Sequence, residues 1–326
     1  MTCLSTSAVR AGLLSGILLF RGIVAAAAQD VPALDMSQFA DATPTATDVP
    51  EAPAPPPPYD PIRAYFLNWF NRVDAIQAAQ PHWMTPVVTV TPRLEQELRY
   101  DQYIETLGKG QGTLYNFGAG KGLELIPFDP VEIIVGVPPY IEHNIPGEHS
   151  INGFNDWPFL LVKYRILSAN EQNGNYILTA FLQGSAPTGI AALTSNSFMI
   201  TPTIAGGFGV GNFDVQMTVG ESFPTSSTTV GKMLTWNTTL QYHVWDVLWP
   251  AVEFNFMHFS TGQRSGLNQG FITPEVIFGR FPIAGSRAKL IVGAGYQVAV
   301  MPSPTVPKPL TPMYKNNFIL TTRIAF

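Results

Sequence analysis

One cysteine occurs in 326 residues, at position 3, so the chain can build neither a disulfide framework nor a thiolate metal site. Charged residues are scarce, at 13%, while aromatics reach 12% and Gly and Pro number 28 and 29. That balance is apolar without being the composition of a globular core. The formal net charge of −5 argues against a nucleic-acid partner. Beyond the first thirty residues no stretch reaches the roughly 18 to 20 apolar residues that a membrane helix requires. An exported chain of this kind can still occupy a membrane, as a barrel of strands.

The amino-terminal residues read as an export signal. Arg10 precedes an apolar run from Ala11 to Phe20 that continues, past Arg21, to Ala28. Ala26-Ala27-Ala28 before Gln29 forms an A-x-A cleavage site, so 1–28 is expected to be a signal peptide. Cleavage would remove Cys3 and leave a more acidic chain. Residues 29–60 are rich in Ala, Thr, Asp and Pro, and the run from Pro53 to Pro58 favours extended polyproline II geometry. They are expected to form a disordered periplasmic tether, with a docking role on peptidoglycan or a periplasmic protein as the sharper alternative. In 61–80, Ile62, Tyr65, Phe66, Trp69, Phe70, Val73 and Ile76 recur at helical spacing behind Pro61, which suits a first turn. This predicts an amphipathic helix, either at the periplasmic rim or lipid interface, or entering a lumen as a plug.

From residue 91 onward the polarity alternates with period two. Leu94, Gln96, Leu98 and Tyr100 oppose Glu95, Glu97, Arg99 and Asp101. Phe213, Val215, Met217 and Val219 oppose Asp214, Gln216, Thr218 and Gly220, and Leu234, Trp236, Leu240 and Tyr242 oppose Thr235, Asn237, Thr239 and Gln241. Expected strands cover 94–101, 122–127, 131–138, 157–167, 175–184, 198–208, 213–222, 229–242, 251–259, 270–280, 289–300 and 317–326. Outer connections fall at 102–121, 139–156, 185–197, 223–228, 260–269 and 301–316, mostly longer than the inner ones, as in outer-membrane barrels. The fold class predicted is an all-β, transmembrane, antiparallel up-and-down β-barrel over 91–326, of about 12 strands with 10 to 14 compatible, preceded by the helix. A soluble β-sandwich also alternates. Trp157, Trp236, Tyr242, Trp245, Trp249 and Tyr296, placed near strand ends as in interfacial girdles, favour the barrel.

The last strand, Phe318 to Phe326, has Phe318, Leu320, Ile324 and Phe326 on one face and Asn317, Thr321, Arg323 and Ala325 on the other. It resembles the closing strand of bacterial outer-membrane barrels, in which a terminal Phe is read by the barrel-assembly machinery, and Phe326 is the expected assembly signal. Further segments resemble the phenol meta-degradation-pathway (MetA-pathway) barrel family. They are Leu94-Glu95-Gln96-Glu97-Leu98-Arg99-Tyr100, then Gly122-Leu123-Glu124-Leu125 leading to Val131–Pro138, then Leu161-Val162-Lys163-Tyr164-Arg165 and Phe213-Asp214-Val215-Gln216. The resemblance covers about 91–326 and implies a bacterial outer-membrane channel for small, hydrophobic or aromatic compounds.

No serine-centred nucleophile motif occurs, so the chain is read as a non-enzyme, a hydrolase being the least favoured alternative. His143 and His149, with Glu142 and Glu148, match no standard ligand spacing, so neither metal nor cofactor is expected. Charges on the inward face are Glu95, Glu97, Arg99, Asp101, Glu124, Glu132, Lys163, Arg165, Glu253, Glu275, Lys289 and Arg323. Buried in a membrane protein, they must be paired or wet, and Glu95 and Glu97 are the expected partners of Arg323 at the seam. The function expected is transport of a small solute through an outer-membrane channel in contact with lipid, the alternative being a structural, envelope-tethering barrel.

Overall fold

A computed structural model describes residues 60–226, 229–301 and 314–326. The expected signal peptide, nearly all of the Pro-rich segment and most of the last outer connection lie outside the described residues. Two short helices come first, α1 (Pro61–Leu67) and α2 (Trp69–Ala78), separated at Asn68. Asp60 caps α1 by accepting from the backbone N–H groups of Ile62 and Arg63 at 3.0 and 3.1 Å, which satisfies donors that a helix start leaves open.

Fifteen strands follow: β1 (Glu97–Leu107), β2 (Thr113–Gly118), β3 (Gly122–Phe128), β4 (Val131–Gly136), β5 (Tyr140–Asn144), β6 (Ile151–Phe154), β7 (Trp157–Ala169), β8 (Tyr176–Ala186), β9 (Met199–Val210), β10 (Phe213–Pro224), β11 (Met233–Tyr242), β12 (Leu248–Phe259), β13 (Asn268–Pro282), β14 (Lys289–Ala299) and β15 (Tyr314–Ala325). All lie in one antiparallel sheet, and β15 pairs with β1 from Glu97↔Ala325 to Leu107↔Tyr314, so the sheet closes on itself. β1 pairs with β3 at Glu97–Leu98 and with β2 from Asp101 to Thr106. Hence β2 and β3 are two halves of one stave, as are β4 and β5, and β6 and β7. The barrel therefore has twelve staves.

The stave count agrees with the twelve strands expected from the sequence pattern; several ends shift by a few residues, and three regions differ more. The expected outer connection 102–121 is largely strand, because β1 runs on to Leu107 and β2 returns beside it; 139–156 likewise contains β5 and β6. Their short, Gly- and Asn-containing sequences carry little alternation. Breaks between the halves, at 119–121, 137–139 and 155–156, lie side by side across the wall and crease it. At the first, Gly118 and Gly120 take φ of 87° and 73°, a left-handed turn that glycine adopts at low cost. At the second, Pro138 and Pro139 remove the donors that a ladder would need.

The start of the first expected strand is the third difference. Leu94 and Gln96, expected to face outward, are fully buried, at 0% and 1%, because the chain enters the wall only at Glu97. From there alternation holds. Leu98, Tyr100, Leu182, Ile200, Ile204, Phe254, Phe318, Leu320 and Ile324 point out and are exposed, while Arg99, Asp101, Lys163, Gln216, Glu253 and Arg323 point in and are buried. This is the inverse of a soluble core and identifies an outer-membrane-type transmembrane barrel. Among the described residues no helix is long and apolar enough to cross a membrane; the strands do the crossing. Tyr242, Trp245 and Tyr296 are exposed as a girdle requires, but Trp249 is not: it lies inside at 2% exposure, stacked on His243 with centroids 4.5 Å apart. It follows a tight turn at 244–248, closed by the Val244–Leu248 bridge, in which Trp245 and Asp246 take φ of 52° and 58°.

Placement of the apolar band predicts a depth-dependent response. Ile204→Arg, at the middle of β9, should cost about 2–4 kcal/mol in lipid, while Val210→Arg at its inner end should cost roughly 0–1. Equilibrium unfolding in vesicles measures both.

Candidate functional site: a plugged lumen

Between α2 and β1 the chain does not run along the rim. Residues 80–96 pass through the barrel interior, nearly all of them buried. This segment has no regular partner strand, so its backbone groups need other partners. The wall supplies them. Glu253 accepts the backbone N–H groups of Val88 and Thr89 at 2.6 and 2.7 Å and the Thr89 hydroxyl; Glu275 accepts the N–H of Val87 at 3.1 Å. Gln241 accepts the N–H of Met84 at 2.8 Å, and Gln216 accepts the Thr91 hydroxyl at 2.8 Å.

Carbonyls of the same segment face the cations. Arg99 donates to the Val87 carbonyl at 2.6 Å, and Arg323 donates to those of Thr85 and Pro86 at 2.6 and 2.9 Å. Lys163 donates to the Arg93 carbonyl at 3.0 Å and the Thr179 hydroxyl to that of Pro92 at 2.6 Å. Apolar side chains complete the seat: Met84 and Val87 pack with Trp249, Ile277, Ile291 and Ile319, and Val90 packs on Leu161, Phe181 and Ala205. Trp83 lies so close to β9 that a Cβ at Gly207 would sit 2.7 Å from its ring. Only glycine admits that approach.

The inward charges are therefore mostly where the alternation placed them, with two corrections. Glu97, Arg99, Asp101, Glu124, Glu132, Lys163, Arg165, Glu253, Glu275 and Arg323 are buried in the interior, and Glu95 is buried in the plug itself; Lys289 is exposed at the periplasmic mouth, because β14 begins there. Arg323 does not pair with Glu95 or Glu97. Glu95 pairs with Arg93 at 2.8 Å, and Arg323 spends its guanidinium on plug carbonyls and on the Thr321 hydroxyl at 3.1 Å. Arg99 pairs with Asp101 at 2.7 Å, Lys163 with Glu132 at 2.9 Å, and Arg165 with Asp129 at 2.5 Å. Each pairing offsets the desolvation cost of a buried charge.

The helices meet the periplasmic mouth rather than the lumen. Val73 and Ile76 of α2 pack on Leu94 and Ile126. Arg165 donates to the Ile76 carbonyl at 2.9 Å, and Asp74 pairs with Arg287 of the β13–β14 turn at 2.5 Å. So α2 lies against the rim of the inner opening, where Asp74, Gln77 and Ala78 border it, and the plug is the extended segment after it. At the start of that segment Glu171, in the β7–β8 turn, accepts the backbone N–H of His82 at 2.5 Å and pairs with its ring at 2.9 Å. Partial burial pushes the Glu171 carboxyl up, but these hydrogen bonds outweigh it and hold the group below its ordinary 4.5.

Among the described residues a cavity borders the plug on each side. An outer one of about 290 Å³ lies at the crease and is bordered by Val90, Ile134, Pro139, Pro158 and Leu161 together with Arg99, Lys121, Glu124 and Lys163. An inner one of about 260 Å³ opens at the periplasmic mouth beside Arg93, Glu95, Glu97, Arg280 and Lys289. Thr85 borders both. At the outer end the connection 187–198 folds inward, with Leu193 packed on Leu107, Leu114 and Ile141. Asp156 pins it by accepting from the N–H groups of Gly189 and Ser195 at 3.1 and 2.8 Å.

Sequence patterning missed the plug. Its one local sign is Thr85-Pro86-Val87-Val88-Thr89-Val90-Thr91-Pro92, a β-prone run between prolines that lacks the polar alternation of a wall strand. His143 and His149 are not gathered into a metal site. His143 bonds the Gln111 carbonyl at 2.8 Å, and no group of three or more metal-binding side chains occurs among the described residues.

No family model matches the chain, and no curated protein matches it. Solved structures do. The chain is similar to the NanC porin, at 8% identity and a TM-score of 0.43 over 70% of this chain and 98% of that one. It is similar to the COG4313 outer membrane channel from Pseudomonas putida F1, at 14% identity and a TM-score of 0.44, over 71% and 95%. A third is the KdgM porin in complex with disordered oligogalacturonate, at 12% and 0.37 over 70% and 99%. At such scores the barrel rests on this chain's own strand pairing, and no cargo is carried over.

The clamp at Glu253 yields a direct prediction. Glu253→Ala leaves buried plug donors without an acceptor, each costing roughly 1–3 kcal/mol. Amide hydrogen exchange at Val88 and Thr89 should speed up, with the wall strands unchanged.

Proposed function

We propose that this protein is an outer-membrane channel for small solutes in which residues 80–96 are a displaceable plug, and that its cargo has an apolar or aromatic body. The observation that carries the proposal is the division of the lumen into two cavities by a single extended segment held through side chains. Twelve strands lie between barrels of about eight strands, whose interiors side chains fill, and porins of roughly 16 to 18, which keep an aqueous channel. A barrel of this width needs an added segment to block it, and an extended segment without helix or sheet of its own can leave without unfolding the wall. The apolar lining of the outer cavity supports the cargo class: Val90, Ile134, Leu161 and two prolines favour a greasy body, while Lys121 and Glu124 would orient a polar group.

The test locks the plug in place. In a Cys3→Ser background, Thr91→Cys and Gln216→Cys are joined by a short bis(methanethiosulfonate), which forms a disulfide at each thiol with loss of sulfinate and is cleaved by a reductant. Uptake of small aromatic solutes into proteoliposomes should fall to the level of empty vesicles and return when the joint is cleaved. Equal uptake by locked and free protein would rule out plug displacement. No uptake by either would favour the structural, tethering barrel.

A further inference from the structure

Helix α1 leaves an apolar face without a partner in the barrel. Ile62, Phe66 and Leu67 are 69%, 65% and 72% exposed, and none of the residues of α1 is buried. Phe70 extends the same face into α2, beneath the guanidinium of Arg287 at 4.2 Å. The adjoining side is anchored: the Tyr65 hydroxyl donates to the Pro127 carbonyl at 2.6 Å and the Trp69 indole donates to Gln96 at 3.0 Å. The helix is thereby pinned at the periplasmic end of β3, where Phe128 is itself 53% exposed beside the lipid-facing band.

We propose that the Ile62–Phe66–Leu67 face of α1 lies in the phospholipid leaflet on the periplasmic side of the membrane, as an interfacial anchor beside the barrel. Three observations favour lipid. The face is pinned, through the Tyr65–Pro127 hydrogen bond, one residue from the exposed Phe128 of the wall. Arg63 is exposed between Phe66 and Leu67 around the helix, where a long cationic side chain reaches the headgroups while its stem stays with the apolar face, and Arg72 lies over the Tyr65 ring at 4.1 Å, a pairing of cations with amphipathic aromatics typical of an interfacial helix. Finally, four apolar side chains fall short of the roughly 800 Å² per partner that a stable protein interface buries, whereas a leaflet accepts a small face. The anchor also sets where the plug begins, because α1 leads through α2 directly into residue 80.

A fluorescence experiment on the full chain tests this. In a Cys3→Ser background, an environment-sensitive label is placed at Phe66→Cys, or at Ala75→Cys on the exposed side of α2 as reference. The protein is reconstituted in phosphatidylcholine–phosphatidylglycerol vesicles and its folding checked by the heat-dependent gel shift of intact barrels. The Phe66 label should be quenched about threefold more than the reference by a lipid carrying a shallow nitroxide, and protected from aqueous iodide by a similar factor. Adding Ile62→Asp and Leu67→Asp should restore the aqueous pattern while the gel shift persists. A Phe66 label as open to iodide as the reference would overturn the proposal. Protection from both quenchers, meaning a protein partner or another segment of this chain, would overturn it too, as would lipid quenching that survives the double substitution.

Discussion

Deleting residues 82–92 should convert an occluded barrel into an open one, with single-channel conductance in planar bilayers rising on the order of tenfold, toward that expected of a lumen lined only by side chains. The deletion removes the segment that, among the described residues, lies between the outer and the inner cavity. It also frees Glu253, Gln216, Arg99 and Arg323, which now bond the plug backbone. Those side chains face a space that fills with water once the plug is gone, so their charges are hydrated rather than stranded, and the wall should keep its heat-dependent gel shift. A folded deletion variant with unchanged conductance would show that the blockage lies elsewhere, for instance at the inward-folded connection 187–198.

The largest stability effect is expected at the Lys163–Glu132 pair, whose side chains are 1% and 0% exposed and 2.9 Å apart. Lys163 also holds the Arg93 carbonyl, and Glu132 accepts the Glu95 N–H at 2.6 Å, so the pair ties adjacent staves to the plug's exit. Lys163→Met leaves the buried Glu132 carboxylate unpaired and should cost about 3–5 kcal/mol. Adding Glu132→Gln removes that charge while keeping an acceptor for Glu95, and should recover most of the loss. Denaturant unfolding of the wild type, the two single variants and the double variant forms a cycle. Additive single effects would mean that the two groups do not act as a pair.

The wall was legible because its physics is local. Phe213-Asp214-Val215-Gln216 alternates because one side meets lipid and the other meets the interior, and a slip of one residue would exchange the faces. That pattern located twelve staves and put Arg99, Lys163, Glu253 and Arg323 inside. It failed where the local signal is weak or misleading. The half-strands β2, β5 and β6 are too short to show a period; Leu94 and Gln96 continue the alternation formally but precede the wall; and Trp249 has the composition of a girdle residue yet lies inside.

Partners inside the lumen were not legible. Alternation set Glu95 and Glu97 as the expected partners of Arg323 at the seam, but Arg323 lies opposite Arg99 and bonds the Thr85 and Pro86 carbonyls. Taken alone, then, the sequence determines an inside-out barrel, its approximate stave count and which side chains enter the lumen, since period two and the cost of charge in lipid act residue by residue. Tertiary structure alone decides that residues 80–96 fill that lumen. An extended segment without its own ladder is placed by acceptors and donors brought from staves up to 238 positions away in the chain, the separation of Thr85 and Arg323, and no local pattern encodes so distant a partner.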